Sequence, residues 1–239
     1  MARVEFKPGN MLYPVPAVMV SCMRPGEKPN IITVAWAGTV CSDPAMVSIS
    51  VRPNRYSHAI LMETKEFVIN LTTEALCRAT DFCGVRSGRD IDKYKEMHLT
   101  PSVSKKIAAP GIAESPVNIE CKVTKVEHLG THDMFLAEVV AVTVDEAYLN
   151  ESGRFELNQA KLVTYSHGEY FALGKKLGKF GYSVDKRMHH TEKSMENHHP
   201  TDETTAKKES SRHSKAKAQA KRKQNHKRST KNLKKKSKK

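Results

Sequence analysis

Every apolar run long enough to become a strand or a helix lies before Val184. Beyond Lys186 only scattered Met and Ala residues and one leucine, Leu233, remain. A segment that buries no apolar surface cannot offset the entropy of ordering, so residues 185–239 are expected to be a disordered Lys-rich tail and residues 1–184 to hold the fold. Charge divides the chain at the same place. Residues 186 to 239 carry 19 Lys and Arg against 5 Asp and Glu, whereas residues 1 to 185 carry 21 of each. The formal net charge of +14 therefore describes the tail, and the folded part is electrically balanced.

Within the first 184 residues the patterns are mainly those of strands. "YPVPAVMVSCM" is rich in β-branched residues and ends at the turn-forming "RPGEKPN". "IITVAWAG" (31–38) and "AMVSISV" (45–51) read as two buried strands joined by "TVCSDP". "SHAILMET" (57–64) predicts a short helix with Ser57 as its N-cap, and "EFVINL" (66–71) a further strand. "TTEALCRATDFCG" predicts a helix that starts at Thr72 or Thr73 and stops at Gly84. "VRSGRDIDKYKEM" reads as a charged loop running into a short helix, and a Pro-containing connection spans 100–116. Alternation then puts Ile119, Cys121, Val123 and Val126 on one side of a strand that pairs across "GT" with "HDMFLAEVVAVTV". A strand within "LVTYSH" closes the series. Roughly seven strands and two or three short helices, with neither a βαβ rhythm nor an internal repeat, favour an antiparallel barrel with helical insertions.

The five cysteines are odd in number and show no CxxC or Cys/His ligand spacing, which argues against a disulfide framework and against a zinc site. No run reaches the roughly 18 apolar residues of a membrane span, and "MARVEFKPGN" lacks the apolar core of a signal peptide. A soluble protein of the reducing cytoplasm, without a membrane partner, is the expectation.

Chemistry concentrates at "VRPNRYSH" (51–58), where an apolar strand delivers two arginines, an asparagine, a serine and a histidine into one turn. Arg52 and Arg55 have planar forks that match phosphate oxygens, and the helix start at Ser57 attracts anions. Two solvated arginines paired with carboxylates would account for the same residues. In "NIITVAWAGTVCSDP", Asn30, Thr33, Thr39 and Ser42 surround an apolar strand that holds Trp36, the single tryptophan. That mixture suits a flat heteroaromatic ligand, although a core tryptophan with threonines at strand edges fits too. Lys93, in "SGRDIDK", could reach a phosphate or the negative charge of a reduced ring, or remain solvated beside Asp90 and Asp92. His132, at a hairpin end, could point into a pocket or be structural.

Taken in order, these motifs resemble the flavin reductase-like FMN-binding split-barrel family, and in particular its flavoredoxin branch. The likeness runs from about Asn10 to Tyr182 and rests on the stretch from "NIITVAWAG" to "EFVINL", on "FCGVRSGRDIDKY", "ECKV" and "GTHDMFLAEVV", and on Tyr165 with "HGEYFALG". It implies an antiparallel Greek-key split β-barrel, a homodimer, and FMN held without a covalent bond near the dimer interface. Electrons would pass from NADH or NADPH through FMN to a flavin, a metal or a protein acceptor. The resemblance sets Asn30 and Trp36 against the isoalloxazine, and backbone groups around Thr33, Thr39 and Cys41 at its edge. Ser50, Arg52, Arg55 and Ser57 fall at the ribityl and phosphate end, and Lys93 reaches the flavin from its loop. His132 corresponds to the pocket histidine near flavin and nicotinamide, the expected catalytic position, and Tyr165 to an aromatic residue beside the ring. Without a Rossmann GxGxxG, a nicotinamide dinucleotide would have to fold over the flavin.

Two other expectations stand beside this one. An FMN electron carrier that never meets NAD(P)H would share the cofactor but not the hydride step. Alternatively, the barrel is a scaffold and the tail binds nucleic acid or another acidic surface, weakly, without base selectivity and with steep salt dependence. The pairs His189/His190 and His198/His199 could chelate a metal in passing. A thiol at Cys41 could shuttle electrons, although a free cysteine in a strand ordinarily behaves as a small hydrophobe.

Overall fold

The computed structural model describes residues 2 to 184. The chain divides into a compact unit, Met1–Lys175, and a second unit from Lys176 onward, whose described part contains a single 3-10 turn, Tyr182–Val184. The basic tail and its histidine pairs lie outside the described residues.

The first unit opens with β1 (Val15–Pro16), β2 (Val18–Cys22), β3 (Asn30–Val34), β4 (Ala37–Ser42) and β5 (Ala45–Val51). Helix α1 (Tyr56–Thr64) leads to β6 (Glu66–Leu71), then to α2 (Cys77–Val85), α3 (Lys93–Glu96) and the short pair β7 (Pro101–Ser102) and β8 (Gly111–Ile112). The hairpin β9 (Val117–His128) and β10 (Asp133–Val144) follows, and β11 (Val163–Ser166) and β12 (Glu169–Ala172) complete the unit. Seven strands form one antiparallel sheet in the order β3-β2-β6-β9-β10-β5-β4, and β1, β11 and β12 form a smaller one.

The two edges of the large sheet, β3 and β4, are separated in sequence only by Ala35 and Trp36. Edges joined by two residues force the sheet to curl toward closure, and the Ser50 N–H donates to Trp36 O at 2.9 Å to pin the corner. The expectation of one strand across 31–38 is corrected here: the apolar run is continuous, but the chain must turn from one edge to the other at Ala35–Trp36.

Period-two alternation fills the inside of the curl with Val18, Val20, Ile32, Val34, Val47, Ile49, Phe67 and Phe135, and α1 buries Ile60 and Leu61 there. The outer face of β2 and β3 is covered as well, with Met19 and Ile31 packed against Leu76, Ala79, Cys83 and Tyr94. Strands covered on both faces read as unbroken apolar runs. Buried Asn70 fastens the layers: its amide donates to Met19 O at 2.8 Å and accepts from Ile112 N at 2.9 Å. In the long hairpin Lys125 faces Leu136 while Val123 faces Ala137, so Thr124 is an extra, bulged residue. The bulge explains how Val123 and Val126, of opposite parity, both pack on the core.

Two helix limits differ from expectation. Arg55, not Ser57, occupies the N-cap of α1 and makes no side-chain cap bond. The Ser57 hydroxyl instead accepts from Asn30 Nδ2 at 2.7 Å. Helix α2 begins at Cys77, after a turn in which Leu76 N donates to Thr73 O at 3.0 Å, and runs through Gly84 to Val85. A Cβ at Gly84 would come within 3.2 Å of Thr33 Cβ, so this glycine lets α2 approach β3 rather than end the helix.

Candidate functional site

Where the ends of β3 and β5 meet the start of α1 and the end of α2, two cavities adjoin. The larger, of about 380 Å³, is lined by Thr33, Trp36, Ser50, Arg52, Arg55, His132 and Tyr165 among others. The smaller, of about 140 Å³, is lined by Asn30, Arg55, Ser57, Ser87, Gly88 and Lys93 among others. Ile32, Arg55 and Gly84 border both, so they form one trough with a wide and a narrow end.

The wide end is aromatic on two sides. The Trp36 and His132 rings lie 4.5 Å apart, with Trp36 39% exposed. The same cavity is lined by Tyr13, just before β1, and by Tyr165 and Tyr170 of the small sheet. Tyr165 and Tyr170 meet edge to face at 5.4 Å, and the Tyr13 and Tyr165 centroids are 6.4 Å apart. Ser50 reaches the trough because alternation along β5 sends Val47, Ile49 and Val51 to the core. Burial, reinforced by the nearby Arg52 guanidinium, holds His132 below its ordinary pKa. Both effects favour the uncharged imidazole, whose Nδ1 lies 2.9 Å from Thr131 Oγ1.

The narrow end is rich in donors. The Lys93 ammonium is buried and donates to Ile31 O at 2.6 Å and Cys83 O at 2.7 Å. An ammonium has three donors, so one remains for the cavity that Lys93 lines. Burial, with Arg55 adding to it, pushes its pKa down to about 8. Arg55 and the first turn of α1 lie across from it, where free backbone N–H groups favour an anion. Gly88 brings the 86–90 loop against Asn30, and a Cβ there would collide with the Asn30 amide at 2.0 Å from Oδ1.

Ten of the twelve residues singled out from the sequence line this trough. Thr39 and Cys41 do not: they lie on the edge strand β4, and Cys41 Sγ donates to Asp43 O at 3.4 Å. Thr33 lines the trough, but its hydroxyl donates to Thr80 O and so fastens α2. Sequence reasoning missed Tyr13, Asp81 and Tyr170. The Tyr170 hydroxyl donates to Asp81 Oδ1 at 3.4 Å, and burial, with Asp81 adding to it, pushes Tyr170 up to about 12. No local signal joins residues 89 positions apart.

A curled antiparallel sheet with a trough of this kind at its seam defines the split-barrel class. Residues 10–174 match the flavin reductase like domain, and the chain belongs to that family, within its flavoredoxin branch. The flavoredoxin of Desulfovibrio vulgaris (Miyazaki F) is 30% identical, with a TM-score of 0.71 over 77% of this chain and all of that one. An FMN-binding protein from Thermus thermophilus, 23% identical, shares the fold with a TM-score of 0.63 over 74% of this chain and 99% of that one. An uncharacterized protein of Archaeoglobus fulgidus is 30% identical over 160 residues, which are 67% of this chain and 88% of the relative. Among the described residues no helix is long and apolar enough to cross a membrane.

Proposed function

We propose that this protein is an FMN-binding oxidoreductase that takes electrons from NADH or NADPH and passes them to a flavin, a metal or a protein acceptor. The observation that carries the reading is the shape and chemistry of the trough: a wide aromatic end continuous with a narrow end lined by Arg55, Ser57 and Lys93. The wide end alone lies within the roughly 300–1,000 Å³ of small-molecule sites, and the narrow end has the size and donors for a phosphate. The donor set therefore fits FMN. The likeness to an FMN-binding protein from Thermus thermophilus and to a flavoredoxin supports a flavin cofactor here.

When bound, FMN supplies the hydride-accepting ring. The protein's own contribution is positional and electrostatic. Trp36 and the tyrosines offer flat apolar walls, and Ser50 offers a hydroxyl at the wide end. Lys93 and Arg55 would hold the phosphate, while His132, beside Trp36, lines the end that would receive the ring. The chain is further proposed to pair with a second copy, because β4 is an edge strand with Val40 49% exposed and an open edge invites coverage.

Anaerobic stopped-flow mixing of FMN-loaded protein with NADH, NADPH or a reduced ferredoxin tests the donor. Reduction by either nicotinamide nucleotide is expected. Reduction by ferredoxin alone would replace this reading with that of an electron carrier.

A further inference from the structure

The buried carboxylate of Asp133 has no part in the chemistry above. It is 5% exposed and accepts from His58 Nε2 at 2.7 Å and from His128 Nδ1 at 2.8 Å. An ionised carboxylate only accepts, so both of those ring nitrogens are donors. The two histidines differ sharply: the His128 side chain is 72% exposed, whereas that of His58 is 12% exposed and set edge-on to Phe135 at 5.5 Å.

His58 ends the arginine turn. Its backbone N–H donates to Arg55 O at 3.0 Å, and the Arg55 N–H donates to Arg52 O at 3.0 Å. Two linked turns thus run from Arg52 through Arg55 to His58, and the His58 ring is tied to Asp133. On its other side Asp133 pairs with Val51 in the β5–β10 ladder and directly follows His132, whose ring lies beside Trp36. One buried carboxylate joins the turn that carries both arginines to the strand end that carries the pocket histidine.

We propose that Asp133 is a positioning residue of the trough, acting through His58 to hold the Arg52–Arg55 turn where a flavin phosphate is bound. The inference rests on the FMN reading. Arg52 and Arg55 are exposed, and an exposed arginine on an untethered turn must be ordered anew each time a ligand binds. The clamp removes that cost in advance. Its effect is confined to ligands that carry the phosphate.

The test compares FMN with riboflavin, which has the same ring and ribityl chain but no phosphate. Dissociation constants are read by flavin fluorescence on the full-length protein, and far-UV circular dichroism confirms the fold of each variant. His58→Leu is expected to weaken FMN about tenfold and to leave riboflavin unchanged. His58→Gln, whose amide nitrogen takes the place of Nε2, is expected to restore FMN affinity. Should His58→Leu fail to fold, His58→Asn, too short to reach Oδ2, takes its place with the same expected outcomes. Equal losses for FMN and riboflavin, or no loss for FMN, would overturn the positioning role. If the unaltered protein binds neither flavin, the FMN reading itself falls and this inference with it.

Discussion

Lys93→Met removes the one buried cation at the narrow end of the trough. Burial holds the Lys93 ammonium at about 8 against an ordinary 10.5, a depression that corresponds to about 3 kcal/mol in favour of the neutral amine. A bound phosphate reverses part of that penalty. A hydrogen bond to a charged group contributes about 1.5–3 kcal/mol, so the substitution is expected to weaken FMN about 10- to 100-fold. Riboflavin is expected to bind the variant and the unaltered protein equally well. The pH dependence has a definite sign. A phosphate dianion raises the pKa of Lys93 in the complex, so binding takes up a proton above about pH 8 and FMN affinity falls as pH climbs. The ligand-free protein moves the other way. Below about pH 8 Lys93 is charged in both the folded and the unfolded chain, and the burial penalty is complete. Between about 8 and 10.5 only the unfolded chain keeps the proton, so stability rises with pH through that window. Fluorescence titrations of both flavins from pH 7 to pH 10 read the affinities, and urea unfolding of the ligand-free protein over the same range reads the stability. An FMN affinity that ignores both the substitution and the pH would refute the placement of Lys93 at the phosphate.

Three further outcomes follow from the packing. Phe135 is fully buried in the curl, and Phe135→Ala is expected to cost about 3–5 kcal/mol and to lower Tm by about 10 °C, read by calorimetry. Cys22, Cys83 and Cys121 are buried, and burial pushes their thiols up to about 12, 11 and 12, so iodoacetamide should modify only Cys41 and Cys77 in the native protein, as read by mass spectrometry. Labelling of Cys22 before unfolding would contradict the packing of the curl. Val40→Lys on the exposed edge of β4 is expected to convert a dimer to a monomer in light scattering, and an unchanged mass would place any interface elsewhere.

The parts of the fold set by local pattern were legible in the sequence. β5 and β6 fall on the expected residues because period-two burial and flanking turns determine them locally. The break at Ala35–Trp36 was not legible, because it is imposed by sheet closure and falls on two residues that are neither glycine nor proline. Ser57 looked like an N-cap by composition, but Asn30, 27 residues earlier, claims its hydroxyl. The trough followed the same rule. "VRPNRYSH" showed its anion chemistry in its own residues, as "SGRDIDK" did for Lys93, whereas Tyr170 and Asp133 are brought to the site only by the tertiary fold. His58 belongs to the turn by sequence, but its tie to Asp133, 75 residues away, leaves no local trace.

Titration of the purified full-length protein with FMN, followed by absorption and fluorescence, tests most directly whether the trough is a flavin site. One FMN per chain is expected, giving a yellow protein, with affinity collapsing in the Arg52→Ala, Arg55→Ala double variant. A colourless protein that takes up no added FMN, or a double variant that binds it as tightly as the unaltered chain, would contradict the assignment.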